Sequence, residues 1–483
     1  MTLFENSYCE LPKTFYRAAM PEPLVDALLI HTNQKLLAEL SLDFDAETLL
    51  KMTKGESFPE GFKPIAQKYT GHQFGYYNPD LGDGRGLLLG QVKDAQQQPW
   101  DLHLKGSGVT PYSRRGDGRA VLRSSIREYL IGEALHALGV PSARCLSICH
   151  SPEPVRREQI EDRATYIRVA KTHVRFGHFE WLAQLGNQAD FKQLAHYVIK
   201  TVYPEHQNLP EEIRYAALLN SINERTAYLM ACWQASGFCH GVMNTDNMSV
   251  AGETLDFGPY AFLDDCKIHY ICNHSDTEGR YAYSQQPNIG LWNCQVLGQA
   301  FSMLLSSEQI EAAINGYIET YNQTYLTKMC AKFGLSHPQP DDKHFIADSL
   351  ILMDQSSLDF HYFFQMLALF ATPEHAQFEE FLPDSKAWRL WMARYQERID
   401  VEKNEPQRQQ LIQKNTPKLI LRNYIAQEII EAAEQGDYEP LDNWFNWLIT
   451  PYDVPEIFKT PEYAHYLLPP AAHHKEMALS CSS

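Results

Sequence analysis

The 483-residue sequence has no Cys-x-x-Cys pair among its 10 cysteines, no run of eighteen apolar residues and no surplus of basic charge. The first absence argues against a zinc signature and a disulfide-stapled secreted scaffold, and leaves most thiols as expected buried side chains. The second removes the pattern of a membrane-spanning helix. The third bears on partners: 42 Lys and Arg face 60 Asp and Glu, a formal net charge of −18. Such a surface repels phosphate backbones and anionic lipid, so neither nucleic acid nor membrane is an expected partner. Met1 to Pro21 shows neither a basic segment followed by an apolar stretch nor an Arg-rich amphipathic pattern, and the expected location is the cytoplasm. Internal repeats and low-complexity tracts are also missing.

What is present is ordinary globular composition, 44% hydrophobic and 21% charged. The length exceeds what one hydrophobic core usually supports, which predicts two or more lobes. The few clustered basic residues, Arg114 to Arg127, read as a local anion site suited to a small polyphosphate.

Along the chain, Tyr69 to Gly118 is rich in Gly, Asp and Arg between short strand-like runs. Trp100 to Lys105 alternates as a half-buried strand. A helix is predicted from Ser124 or Ser125 to a stop at Gly139, and the β-branched and aromatic run Ala164–Ala170 predicts sheet. Helical periodicity takes over beyond Phe179 and includes Ile213–Trp233, with a loop-and-strand insert from Gly237 to Asp265. Ser306 and Gln309 form a capping box, and Leu419–Ala433 reads as a helix ending at Gly436.

The predicted class is α+β, a bilobal protein-kinase-like fold with a small β-rich N-lobe, a helical C-lobe and a helical C-terminal extension. Expected boundaries are 1–60 for an N-terminal extension, 61–180 for the N-lobe, 181–330 for the C-lobe and 331–483 for the helical region with its Cys-containing tail.

A bilobal phosphotransferase needs a glycine-rich turn, a strand lysine, a helix glutamate, and an Asn and an Asp for the metal. Gly82-Asp-Gly84-Arg-Gly86, Lys105, Glu128 or Glu133, Asn247 and Asp256 supply them in that order, and Asp256-Phe-Gly258 spells the kinase metal motif. Each piece alone has a plainer reading, as a tight turn, a strand end or a turn former. Their order carries the argument. His240-Gly-Val-Met-Asn-Thr-Asp-Asn247 aligns with the H-G-D-x-x-x-x-N loop of small-molecule kinases, but Val242 stands at the base position. A valine accepts no proton, and Asp246 is the nearest carboxylate. Three readings are open here: altered transfer chemistry, an ordinary protein or small-molecule kinase, or a catalytically inactive nucleotide binder.

Longer strings narrow the choice. Tyr69-Thr-Gly-His-Gln-Phe-Gly75, Leu81-Gly-Asp-Gly-Arg85, Leu102-His-Leu-Lys-Gly-Ser-Gly108, Thr110 to Tyr129, Arg168-Val-Ala170, Arg175-Phe-Gly177, His240 to Met248, Asp256 to Pro259, Asn273-His-Ser-Asp276 and Gly279-Arg-Tyr-Ala282 resemble the selenoprotein O family of pseudokinases. The resemblance implies an Mg²⁺-dependent protein adenylyltransferase, with Mn²⁺ as a second candidate metal. It would move AMP from ATP onto Ser, Thr or Tyr hydroxyls of proteins, redox proteins among them, with ATP inverted relative to a kinase. It also implies residue roles. Lys105, Arg168 and Arg175 would hold the phosphates, with Glu128 pairing Lys105. Gly82, Gly84, Arg85, Asp117, Gly118 and Asp256 would contact the nucleotide, Asp246 would accept the proton, and Asn247 and Asp256 would hold the metal. Family members often end in Cys-x-x-Cys or Cys-x-x-selenocysteine, whereas here Ala478 precedes Cys481, so Cys272 is the expected redox partner of Cys481. Protein targets and oligomeric state are not legible in the sequence.

Overall fold

Leu102 and Leu104 alternate with His103 and Lys105 along one strand, and Ile167 and Val169 flank Arg168 on its antiparallel neighbour. Successive strand residues face opposite sides, so this alternation gives the sheet one apolar face and one charged face. In the computed structural model, which describes residues 4–402, 405–475 and 477, these two strands lie at the centre of a nine-stranded sheet. Its strands are β1 (Tyr16–Ala18), β2 (Leu28–Thr32), β3 (Ile65–Gln73), β4 (Tyr76–Gly82), β5 (Gly86–Lys93), β6 (Pro99–Lys105), β7 (Ala120–Val121), β8 (Arg144–Arg156) and β9 (Ile160–Ala170). The path runs β1-β3-β5-β6-β9-β8-β2, with β4 on β3 and β7 on β9. Register pairs Leu102 with Val169, His103 with Arg168 and Leu104 with Ile167.

Helices α1 (Gln34–Glu39) and α2 (Ala46–Thr53) cover the apolar face, where Leu36, Leu49 and Met52 pack with Leu102, Leu104, Ile167 and Val169. The charged face receives α3 (Leu122–Ala137), whose Ile126, Tyr129 and Leu130 share a core with Tyr166. That helix starts before the expected Ser124 or Ser125. Both serine hydroxyls donate back to Val121 O, at 3.3 and 2.8 Å, instead of capping. It stops as the sequence predicts, with Gly139 at φ +74°. The first 60 residues supply both ends of the sheet path, through β1 and β2.

Beyond the sheet the chain is mostly helical: α4 (Phe176–Gln184), α5 (Gln188–Val202) and α6 (Glu211–Ala235), then α7 (Gln286–Phe301) and α8 (Ser307–Lys332). Between α6 and α7 the short antiparallel pair β10 (Phe238–Cys239) and β11 (Ala261–Phe262) brackets an irregular loop. The expected capping box forms at α8: Gln309 N donates to Ser306 Oγ at 3.4 Å and Ser306 N to Gln309 Oε1 at 3.0 Å. Helices α9 (Asp342–Gln355), α10 (Phe360–Leu367), α11 (His375–Phe381), α12 (Lys386–Asp400) and α13 (Glu405–Asn415) enclose a separate aromatic core containing Phe345, Phe363, Trp388, Trp391 and Tyr395. The last two, α14 (Asn423–Glu434) and α15 (Glu439–Leu448), return to pack on α3. Here the sequence reading placed the start too early. Leu419 to Leu421 are buried outside the helix, and Arg422 stays extended because its guanidinium is drawn to Asp264 and Asp359.

Candidate active site

Between the charged face of the sheet and the loop from β10 to β11 lies a cleft of about 800 Å³. Strand alternation delivers Lys105 from β6 and Arg168 from β9 to its deep wall. Glu128 comes from the facing side of α3. Lys105 Nζ donates to Glu128 Oε2 at 2.7 Å, and Arg168 Nε donates to Glu128 Oε1 at 2.8 Å. Glu133, one and a half turns further along α3, instead takes Arg144. Arg175 immediately precedes α4, beside the loop: Phe176 N donates to Met248 O at 2.9 Å and Val250 N to Val174 O at 3.1 Å. Its guanidinium sits over the Tyr69 ring, 4.7 Å from the centroid, and faces Asp83 at 3.4 Å.

All three cations converge on Asp256. Lys105 Nζ lies 3.2 Å from Oδ1, Arg168 2.6 Å from Oδ1 and Arg175 3.1 Å from Oδ2. Burial alone would raise the Asp256 pKa, but Arg168, Lys105 and Arg175 outweigh it and hold the carboxyl well below the usual range. Asp256 has φ +59°, a left-handed conformation that costs a non-glycine residue about 1–2 kcal/mol. His240 Nε2 donates to Leu255 O, 3.0 Å away, and so pins the residue before that turn. Two donors on this wall remain unsatisfied: Arg168 Nη1 and Arg175 Nε are buried without a hydrogen-bond partner.

Asp246, earlier on the same β10–β11 loop as Asp256, differs. Burial raises its carboxyl to about 7, against the opposing effect of a hydrogen bond from Gln73 Nε2 to Oδ2 at 3.0 Å. Its other oxygen, Oδ1, is buried without a partner. Asn247 donates Nδ2 to Val242 O at 3.0 Å, which turns its amide oxygen away from that carbonyl. Val242, Asp246, Asn247 and Asp256 all line the one cleft.

The profile of the family described as protein adenylyltransferase SelO matches residues 1–448. The chain belongs to that family. It is 52% identical over 485 residues to the protein nucleotidyltransferase YdiU of Hydrogenovibrio crunogenus, covering 99% of this chain and 100% of that one. The YdiU proteins of Vibrio cholerae and Myxococcus xanthus are each 43% identical to it, with 99% of this chain and 98% of theirs covered.

In this SelO-family chain the remaining nucleotide-contact candidates fall in the same cleft. Gly82, Gly84 and Arg85 line one side, and Asp117 and Gly118 line the rim beside Arg114, Arg115, Arg156 and Arg157. Gly118 has φ +66°, and a Cβ there would fall 1.8 Å from Gly108 O, so only glycine fits. The Asp117 carboxylate is held by Arg157 at 2.7 and 3.0 Å. The basic run expected to form one anion site divides. Arg114, Arg115 and Arg119 line the cleft, Arg123 pairs with Glu161, and Arg127 stacks on Tyr260, 4.3 Å from its centroid. Cys272 is buried with its Sγ 3.4 Å from Cys239 Sγ, and Cys481 lies outside the described residues. Eight of the nine described cysteines are buried.

Sequence reasoning missed Tyr69, Gln73 and Asp83 as cleft residues. Each stands within a familial string, but nothing local marks it. Gln73 meets Asp246 across 173 residues, through a long-range contact of the end of β3 with the loop that no short-range pattern encodes.

Proposed function

We propose that this chain is a protein adenylyltransferase that moves AMP from ATP to a Ser, Thr or Tyr hydroxyl of a protein, with the triphosphate pointing into the cleft. The observation that carries this is the deep cation cluster with its unsatisfied donors. Lys105, Arg168 and Arg175 offer more hydrogen-bond capacity than Glu128, Asp83 and Asp256 use, and a terminal phosphate would satisfy Arg168 Nη1 and Arg175 Nε. A γ-phosphate lodged there leaves the α-phosphate nearer the loop that carries Asp246 and Asn247.

The residues suit Mg²⁺. Among the described residues no group of three or more His, Cys, Asp or Glu side chains could hold a metal ion. Mg²⁺ keeps several waters and uses one or two carboxylates together with substrate phosphates, so Asp256, which stays ionised, and the Asn247 amide oxygen would hold it. Bound there, Mg²⁺ neutralises charge on the phosphates. Phosphate oxygens competing for Lys105, Arg168 and Arg175 would release Asp256 from its present partners.

In the transfer step the acceptor O–H bond breaks and its proton passes to Asp246 Oδ1. The hydroxyl oxygen bonds to the α-phosphorus, and the bond from that phosphorus to the bridging oxygen breaks, with pyrophosphate leaving. The Lys105–Glu128 pair and Asp256-Phe-Gly258 would serve an ordinary kinase equally well, but Val242 gives such a reaction no base. Parallel incubations with α-labelled and γ-labelled ATP separate the two. Adenylate transfer labels protein from the α position only, and label from the γ position would overturn the reading.

A further inference from the structure

We propose that Gln73 is the positioning residue for Asp246: its amide fixes Oδ2 so that Oδ1 alone is left to take the acceptor proton. The inference rests on Asp246 being that proton acceptor and names the residue that makes one oxygen of the carboxylate different from the other. Gln73 Nε2 donates to Asp246 Oδ2 at 3.0 Å, while Oδ1 is buried without a partner.

The amide cannot turn over freely. Asn78 Nδ2, across the β3–β4 hairpin, donates to Gln73 Oε1 at 3.0 Å, which presents the NH₂ end to the carboxylate. The backbone beneath it is tied to the same loop on both sides. His72 N donates to Thr245 Oγ1 at 2.7 Å, and Phe74 N donates to Asn244 Oδ1 at 3.1 Å and Tyr281 OH at 2.9 Å. Gly71 allows this approach, since a Cβ there would lie 2.9 Å from Thr245 Oγ1 and 3.1 Å from Asp246 N. The strand end and the loop therefore form one rigid unit with the Gln73 amide facing the cleft.

The residue type suits the task. A lysine or arginine at this position would orient the carboxylate but also lower its proton affinity. A carboxamide orients it without adding charge. Gln73 acts through Asp246 and needs no contact with substrate.

The test is a double-mutant cycle on the full chain, with self-labelling from α-labelled ATP as the rate and ATP binding measured separately. Gln73→Met, close in shape but without a donor, is expected to lower the transfer rate about tenfold with ATP affinity unchanged. Asn78→Leu, which frees the amide, should cause a smaller loss of the same kind. In an Asp246→Asn background, Gln73→Met should cost nothing further, because the group it orients is gone. Wild-type transfer by Gln73→Met beside an inactive Asp246→Asn would overturn the role of Gln73 alone. So would an equal loss in both backgrounds, the sign of a merely structural contact. Full transfer by Asp246→Asn would instead remove the proton acceptor, and the assignment of Gln73 with it.

Discussion

The β10–β11 loop carries two cleft-lining carboxylates, and their surroundings treat them oppositely. Asp256 is surrounded by Lys105, Arg168 and Arg175 and is held well below the usual carboxylate range. Asp246 accepts from the neutral Gln73 amide, and burial lifts it to about 7. Residue type and depth are alike, so the neighbours decide. One acid stays permanently charged and suits a cation; the other exchanges a proton near neutrality and suits a base. Two of the cations reach Asp256 because β6 and β9 are adjacent and in register, and the third, Arg175, comes from the start of α4.

The comparison is most sharply tested by removing the charged acid. Asp256→Ala should reduce Mg²⁺-dependent transfer to background in the α-labelled ATP assay, since a metal held by so few protein ligands tolerates the loss of a carboxylate poorly. Unchanged activity would remove Asp256 from the site. Removing the other acid should have a large effect of another kind: Asp246→Ala should lower turnover about 10²- to 10⁴-fold while ATP affinity is retained, the pattern of a lost base. If binding fell with turnover, the division of labour between the two carboxylates would fail. Val242→Asp should not yield an efficient kinase, because the α-phosphate would still face the acceptor.

The surroundings of the two carboxylates were also unequally legible. The deep wall could be read because its parts are spelled in sequence order: a strand lysine, a helix glutamate and Asp256-Phe-Gly258. Periodicity could not choose between Glu128 and Glu133. Both proved buried on α3, and the choice is made by what each meets, Lys105 and Arg168 for one and Arg144 for the other. Elements with local signals were found close to their true bounds, such as α8 with its capping box and α3 with its glycine stop. What could not be read is what non-local pairing creates. The sequence does not say that β1 and β2 close the sheet, that β3 runs against the catalytic loop, or that Cys272 sits against Cys239. The start of α14 was misplaced for a related reason, since the pull of Asp264 and Asp359 on Arg422 acts across more than a hundred intervening residues for the first of them.

A smaller effect tests what the cations hold. Arg168→Ala or Arg175→Ala should weaken ATP binding about 10- to 100-fold, as expected for the loss of charge-assisted hydrogen bonds. AMP binding should change far less, because AMP carries no terminal phosphate to reach the deep wall. Equal losses for ATP and AMP, measured by titration calorimetry, would place the triphosphate elsewhere.

The mildest perturbation is pH, which should act on Asp246 and not on Asp256, Arg168 or Arg175. Asp246 must be ionised to accept a proton, and its carboxyl is raised to about 7 by burial. The transfer rate should therefore rise with pH through about 7 and level off above it, falling about tenfold for each further unit on the acid side as the ionised fraction shrinks. Asp256 is held well below the usual range, and Arg168 and Arg175 are held above theirs by Asp256 and their other anionic neighbours despite burial, so none of the three changes charge in that window. ATP affinity should stay nearly level where the rate falls. A rate limb that persisted unmoved in Asp246→Ala would belong to another group. An affinity that followed the rate would mean that the cluster around Asp256 titrates too, and the contrast between the two carboxylates would fail.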